Sequence, residues 1–294
     1  MNFFELIKKF PTEEKAIKHF MNTRYDIVIC PHCGSHKVYR RKDQPKLFAC
    51  KECNNSFSIF KGTVFEKSST DIRKWFYAIS TFLNAKKGIS ACQLQRETGV
   101  TYKTAWRMLK QIRLAMSNME IDKFMNVIVE IDETYVGGKP RNRNNENKRG
   151  RGTNKTPVVG VINRDDKQVY CKVALPNKEG KKLSGKQLLS ILEETCKGEN
   201  IVITDEFKSY NILESKDNFI HFIVNHSSGE YSDNNGVHTN SIESFWATLK
   251  RGVYGIYHHV SLKYLQNYVN EFCFRYNYRH FDMFNLVLRQ AVVG

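Results

Sequence analysis

Cys30-Pro-His-Cys33 and, sixteen residues on, Cys50-Lys-Glu-Cys53 form a C-x2-C-x16-C-x2-C array. Each pair supplies two thiolates from one tight turn. Four thiolates complete a closed, tetrahedral zinc site with no position left open for a substrate. A structural zinc ion is therefore expected on Cys30, Cys33, Cys50 and Cys53, with His32 and His36 left at the surface. A redox role for either pair is the lesser alternative.

A second set of candidates is carboxylate. Val127–Asp132 alternates as a β-strand, with Glu130 and Asp132 on one face and Val129 and Ile131 on the other. Glu133-Thr-Tyr-Val-Gly-Gly138 is read as the chain leaving that strand. Asn200–Asp205 is a further buried strand ending in an acid, and Glu206 follows it. Downstream, Asn240, Glu243 and Lys250 fall at i, i+3 and i+10 of a helix whose core face is Ile242, Phe245, Trp246, Leu249 and Val253. Taken alone, Asn240 also reads as an N-cap with Glu243 three residues on. Asp205 could likewise cap a helix starting near Phe207, and Asp132 could begin a turn. Two strands that each end in Asp-Glu ahead of an Asn/Glu/Lys helix point instead to three converging acids, Asp132, Asp205 and Glu243. Clustered carboxylates repel one another until a cation compensates them. Hard oxygen donors with room for water and phosphate describe Mg²⁺ or Mn²⁺. Two such ions serve an in-line phosphoryl displacement.

The elements that must position these groups are legible in outline. From Val127 the order is three strands (the second and third Pro157–Ile162 and Gln168–Leu175, around an Arg164-Asp-Asp turn), a helix over Leu183–Lys197, the Asn200–Asp205 strand, a helical turn, the strand Phe219–Val224 and the Glu243 helix. A last helix runs from Leu262 to about Tyr278. That is the order of a ribonuclease H-like α/β domain with a mixed sheet and flanking helices, assigned to 125–294. Ahead of it stand an N-terminal helix (1–24), a zinc ribbon (25–62) with hairpin strands at Val38–Arg41 and Lys46–Ala49, and a helix-turn-helix region (68–120). In the last, Gly99 supplies the turn and Thr101 the cap of a second helix. Ala105, Met108, Leu109 and Ile112 of that helix face inward. Tyr102, Lys103, Arg107 and Lys110 lie on or near its outward face, as in a recognition helix, or in a plain helical hairpin with a solvated basic face.

Charge points the same way. The formal net charge is +16 over 294 residues, a surplus that suits a polyanion. Lys139 to Lys155 carries seven Lys or Arg and one Glu. This loop (139–156) is expected to contact phosphate backbone through Lys139, Arg141, Arg143, Arg149 and Arg151, with a solvated linker as the alternative. No apolar run approaches a membrane span and no signal-type stretch opens the chain, so a cytoplasmic protein is expected. Cys92, Cys171, Cys196 and Cys273 are read as isolated buried thiols.

Taken together, several strings resemble one family. They are the four-cysteine ribbon, Lys87-Gly-Ile-Ser90 with its helix-turn-helix, Glu130-Ile-Asp-Glu-Thr-Tyr-Val-Gly-Gly-Lys139, Thr204-Asp-Glu206, His238-Thr-Asn through Lys250-Arg-Gly, and Tyr257-His-His-Val-Ser261. The chain resembles bacterial insertion-sequence transposases of the insertion-sequence 1595 family. The resemblance covers nearly the whole sequence. It implies Asp132 and Asp205 as metal ligands, recognition of terminal inverted repeats, cleavage by activated water, and attack of the freed 3′-hydroxyl on target DNA. Family members carry Glu or Asn at the third position. Glu243 lies thirty-eight residues after Asp205 and Asn240 thirty-five. Glu243 is preferred, because only it has a base seven residues on (Lys250) and a carboxylate is the stronger ligand for a hard dication. Lys250 and Arg251 are assigned to DNA phosphate. Tyr257, His258 and His259 either touch DNA or close the site, His226 and His238 are left without a role, and Glu130, Glu133 and Glu206 are auxiliary candidates. A homo-oligomer on paired DNA ends and nucleoid association when bound complete the expectation.

Overall fold

The computed structural model describes residues 1–118, 122–137, 155–176, 183–224 and 239–293. The chain divides into two compact units, Met1–Met119 with Tyr278–Gly294, and Glu120–Asn277.

In the first unit, the sequence predicts one helix before residue 24 and the structure has two. Helix α1 (Phe3–Lys9) starts at Asn2, whose side chain and that of Glu5 cap each other's backbone N–H groups. Helix α2 (Glu13–Arg24) starts from Thr12. Strands β1 (Val38–Arg40), β2 (Leu47–Cys50) and β3 (Ser56–Ser58) form an antiparallel sheet in that order. The third strand, Ser-Phe-Ser, is too short to show an alternation in sequence. The segment after it anchors the ribbon. Phe60 and Phe65 pack edge-on to Phe20 of α2, at 5.1 and 5.3 Å, and Phe65 meets Trp75 at 4.9 Å. Trp75 lies on α3 (Ile72–Asn84). Helix α4 (Ala91–Thr98) ends at Gly99, in the left-handed conformation at φ +67°. Thr101 then caps α5 (Tyr102–Ser117), whose Ala105, Met108, Leu109 and Ile112 are buried as their periodicity predicts.

Helix α9 (Met283–Val292) also belongs here, which corrects the 125–294 boundary. Its Phe284 ring lies 5.8 Å from Phe76, and the Ala291 carbonyl accepts the Val64 N–H at 3.1 Å. Phe284, Val287, Leu288 and Ala291 make an apolar stripe that needs α2, α3 and α5 to cover it.

The second unit is a five-stranded sheet in the order β10-β9-β5-β6-β7. Strands β5 (Ile128–Val136), β6 (Thr156–Asn163) and β7 (Val169–Val173) pair antiparallel, while β5, β9 (Asn200–Asp205) and β10 (Phe219–Val224) pair in parallel. A two-stranded pairing of β4 (Phe124–Met125) with β8 (Cys196–Lys197) stands apart. Strand alternation divides the apolar residues between two cores. Val129, Ile131, Val159, Val161 and Val202 pack under α6 (Gly185–Thr195) and the 3-10 segment Lys208–Ser215. Val136, Val158 and Ile162 pack under α7 (Asn240–Gly252) and α8 (Leu262–Asn277). Helix α8 also closes the sheet's far edge. The Gln266 and Asn277 amides bond both to N–H groups and to carbonyls of β7, as another strand would. No helix among the described residues is long and apolar enough to cross a membrane.

Candidate active site and zinc centre

The two cysteine knuckles are built by local turns. Gly34 N–H bonds to the Cys30 carbonyl with Gly34 at φ +73°, and Cys50 N–H bonds to the Asn55 carbonyl beside Asn54 at φ +55°. Strand pairing then stacks the knuckles, with Val38 opposite Cys50. The Sγ atoms of Cys30 and Cys53 stand 3.7 Å apart and those of Cys33 and Cys50 3.6 Å. Four sulfurs bound to one zinc ion at ~2.3 Å would stand ~3.8 Å apart. The donor set and its spacing therefore fit a structural Zn²⁺. Among the described residues, this is the one group of three or more His, Cys, Asp or Glu whose ligand atoms all lie within 4.8 Å of one another. His32 and His36 are exposed and outside it. Cys92 is exposed, contrary to expectation. Cys171 and Cys273 are free and buried but not isolated, since both belong to the core cluster under α7 and α8, where burial first and then Cys273 raise the Cys171 thiol well above its ordinary range.

Strand β5 does not end at Asp132. It runs on to Val136 because β6 continues to pair with it, through Val136↔Thr156, after β9 has stopped. Asp132 thus lies mid-strand, and the turn reading for it falls. Parallel pairing of β5 with β9 reaches Glu130↔Ile203, and two more residues in that register bring Asp132 level with Asp205 on one sheet face. Asp205 does end its strand. Its Oδ1 accepts the Phe207 N–H at 3.1 Å, a local turn; the 3-10 segment itself starts from Phe207 without a side-chain cap.

Opposite Asp132 on β6 is Gly160. The indole of Trp246 occupies the space a side chain would take there: a Cβ on Gly160 would stand 2.7 Å from the Trp246 ring. So placed, the Trp246 Nε1–H donates to Asp132 Oδ2 at 3.0 Å. The Asp132 carboxyl is pushed up to about 7. Burial is the main cause, and the charges of Glu133 and Asp205 add to it, against hydrogen bonds from the Glu133 N–H and Trp246. Glu133 points to the other face, where the buried Tyr210 hydroxyl donates to its Oε2 at 3.1 Å. Burial first, then Glu133, Asp132 and Asp205, hold the Tyr210 phenol well above its ordinary range.

Helix α7 starts at Asn240 with Thr239 as N-cap, so Asn240 is its first residue and not its cap. The Thr239 hydroxyl makes no cap to the backbone and donates to Glu243 Oε1 at 3.0 Å. The buried carboxylate of Glu130 reaches the N-terminal amides instead: Oε2 accepts the N–H groups of Ser241 and Ile242, each at 3.0 Å. Arg164 Nε donates to its Oε1 at 2.8 Å. Glu130, expected as an auxiliary ligand, is thus committed to the helix and to Arg164. Asn240, Glu243, Ala247 and Lys250 form one exposed stripe along α7. The structure brings Asp132 and Asp205 together and sets Glu243 on the helix tied to the same strand, with the three outside any 4.8 Å cluster.

Of the expected DNA contacts, Tyr102 and Lys103 are exposed. Arg107 is half-buried and donates to the Glu66 carbonyl, and the Lys110 ammonium lies over the Trp106 ring at 5.9 Å. Lys250 and Arg251 are exposed, as are His258 and His259. Tyr257 is half-buried, and its hydroxyl stands 2.9 and 3.0 Å from the oxygens of the buried Glu271, which also receives Arg275 Nε. Lys139, Arg141, Arg143, Arg149, Arg151, His226 and His238 lie outside the described residues.

Trp246, Gly160, Thr239, Tyr210 and Arg164 went unrecognised as site residues in the sequence. A buried indole needing an acceptor, and a glycine inside an otherwise β-branched strand, were signals that could have flagged the first two.

An α/β unit carrying Asp132 and Asp205, in a chain that also holds a four-cysteine ribbon, narrows the class, and comparison with known proteins fixes it. Residues 125–277 match the ISXO2-like transposase domain, and residues 11–56 match the transposase zinc-ribbon domain. The chain is 32% identical over 273 residues to an uncharacterised protein in transposable element ISH50 of Halobacterium salinarum, covering 84% of this chain and 87% of that one. It is 32% identical over 107 residues to an uncharacterised transposase-like protein of Haemophilus influenzae, covering 36% of this chain and 84% of that one. Among solved structures, the Mos1 transposase paired-end complex with left transposon end aligns at a TM-score of 0.29 with 12% identity, over 74% of this chain and 78% of that one. A score that low carries no weight for the fold. The family matches place the chain among transposases. It belongs to the insertion-sequence 1595 family, the ISXO2-like group with an N-terminal zinc ribbon.

Proposed function

We propose that this transposase binds the terminal inverted repeats of its insertion sequence and catalyses strand cleavage and strand transfer, with Asp132, Asp205 and Glu243 as the acidic set. The observation that carries the reading is the parallel register of β5 and β9, which, continued two residues past Glu130↔Ile203, sets Asp132 level with Asp205, below a helix bound to β5. The sheet order, with three antiparallel strands followed by two parallel ones, supports a ribonuclease H-like domain. Helices α4 and α5, joined through Gly99, support a DNA-binding helix-turn-helix presenting Tyr102 and Lys103, with Arg107 and Lys110 along its flank.

The donor set suits Mg²⁺ or Mn²⁺. Carboxylate oxygens are hard ligands, and the burial and repulsion that raise Asp132 are relieved by a dication. When bound, two such ions would stabilise the attacking and leaving oxygens of the exchanged phosphodiester. The protein's own part is orientation. Trp246 fixes one oxygen of Asp132, Thr239 holds Glu243 near α7's start, and Lys250 and Arg251 present charge for the DNA backbone. Glu243 is favoured over Asn240 because both lie on the same exposed stripe and only Glu243 offers a charged oxygen pair.

Incubating the protein with DNA that carries the element's ends tests this. Mn²⁺-dependent nicking, lost in Asp132→Ala and Asp205→Ala, is expected, together with a product joining end to target. Nicking without joining would leave a nuclease, and DNA binding without nicking would leave a regulator. Loss of cleavage in Asn240→Ala but not in Glu243→Ala would reverse the choice of third residue.

A further inference from the structure

We propose that Glu130 is a positioning residue: it clamps the start of α7 to the sheet and so sets where Glu243 stands relative to Asp132. This rests on the reading of Asp132, Asp205 and Glu243 as the acidic set. Glu130 is fully buried. A buried carboxylate is tolerated when charge and hydrogen bonds surround it, and here Arg164 takes one oxygen while two helix amides take the other. Those amides belong to Ser241 and Ile242, among the first N–H groups of a helix, which have no partner within it. The helix's own cap residue leaves them, because Thr239 turns its hydroxyl to Glu243. Glu130 therefore substitutes for the local cap, from a strand more than a hundred residues away in sequence.

A second contact makes this a register. Trp246 reaches Asp132, two residues along β5 from Glu130. On the helix, Ile242 to Trp246 is a rise of ~6 Å. On the strand, Glu130 to Asp132 is a rise of ~6.7 Å. The two spacings agree, so α7 is pinned to β5 at both ends of one helical turn. Glu243 lies inside that turn. A slip of α7 would carry Glu243 out of alignment with Asp132 on β5, and neither contact alone fixes both translation and rotation.

Glu130→Gln separates this role from that of a metal ligand. Amide hydrogen exchange at Ser241 and Ile242 is expected to accelerate in the variant. Mn²⁺ affinity of the metal-free full chain is expected to fall ~10-fold, the size of effect seen when a group supporting a ligand is lost. It should fall no further when Glu130→Gln is added to Glu243→Gln, because the clamp acts through Glu243. A ligand role predicts multiplied losses with the two amides still protected, and that result overturns the proposal. Unchanged exchange at Ser241 and Ile242 overturns it too. If Glu130→Gln does not fold, the pair variant Glu130→Met/Arg164→Met removes both charges at once and is put through the same exchange and affinity measurements. If the wild type shows no metal-dependent cleavage, the catalytic reading fails separately, and amide exchange with Mn²⁺ binding still decides the clamp.

Discussion

At the scale of single residues, Asp132 concentrates the site's electrostatics. Its carboxyl titrates near 7 in the folded protein against an ordinary 3.8, so over the interval between them the folded chain holds a proton that the unfolded chain has lost. Stability of the metal-free protein then declines as pH rises from about 4 to about 7, and the loss is complete above the folded value. A melting temperature a few degrees lower at about pH 8 than at about pH 5.5 is expected, with Mg²⁺ or Mn²⁺ restoring more of it at the higher pH. Asp132→Asn should flatten that difference; an equal pH dependence in wild type and variant would show that another group is responsible. Asp132 was legible as a candidate because an acid at period two in an apolar strand is rare. Its environment was not legible, since Trp246 and Gly160 come from elements 114 and 28 residues away.

At the scale of elements, the contact of α7 with the sheet depends on a missing side chain. A methyl group at Gly160 would stand 2.7 Å from Trp246 and 2.9 Å from Ile242. Gly160→Ala is expected to cost about 1–3 kcal/mol by overpacking and to displace the indole from Asp132. Trp246→Phe, introduced with Gly160→Ala, should recover most of the stability and none of the Asp132 hydrogen bond. Denaturant titration of Gly160→Ala, Trp246→Phe and the double variant checks the stabilities, and additive losses would contradict this account. The ribbon makes a parallel case in the first unit. Structural zinc contributes on the order of 10 kcal/mol to the fold it organises, comparable with the whole stability of a domain. Because Phe60 and Phe65 of the ribbon's exit pack on Phe20 and Trp75, zinc loss should reach beyond the knuckles. Chelation, or Cys50→Ser, is expected to release bound zinc and to raise amide exchange in α2 and α3. Zinc loss with those helices fully protected would confine the metal's role to the ribbon. The four cysteines announced this site in the sequence; β3 and the aromatic anchor did not announce themselves.

At the scale of the whole molecule, net charge of +16 predicts DNA binding that is strongly salt-dependent. The logarithm of the association constant should fall linearly with the logarithm of salt concentration. Lys103→Ala on exposed α5 should reduce that slope by about one. Arg107→Ala should change it less and destabilise the protein more, since Arg107 is tied to the Glu66 carbonyl. Equal effects on slope from both would show that Arg107 leaves that carbonyl to meet DNA. The partition into units was the part of this scale that the sequence concealed. Helix α9 follows α8 without a linker signal, and only its apolar stripe, covered by α2, α3 and α5, assigns it to the first unit.

The sequence by itself determined the chemistry that can be written in spacing. It specified four thiolates in two knuckles, acids on a β-branched strand and at the end of another, and a helix with Glu243 and Lys250 on one stripe. Such patterns are local, so periodicity and spacing report them. Tertiary structure decided what each group is free to do. It extended β5 past Asp132 because β6 goes on pairing, and it moved Asn240 out of the cap position. It also tied the half-buried Tyr257 hydroxyl to Glu271 and committed Glu130 to the amides of α7. Those outcomes depend on which unsatisfied donor meets which buried acceptor across the fold, a pairing that no single segment of sequence contains.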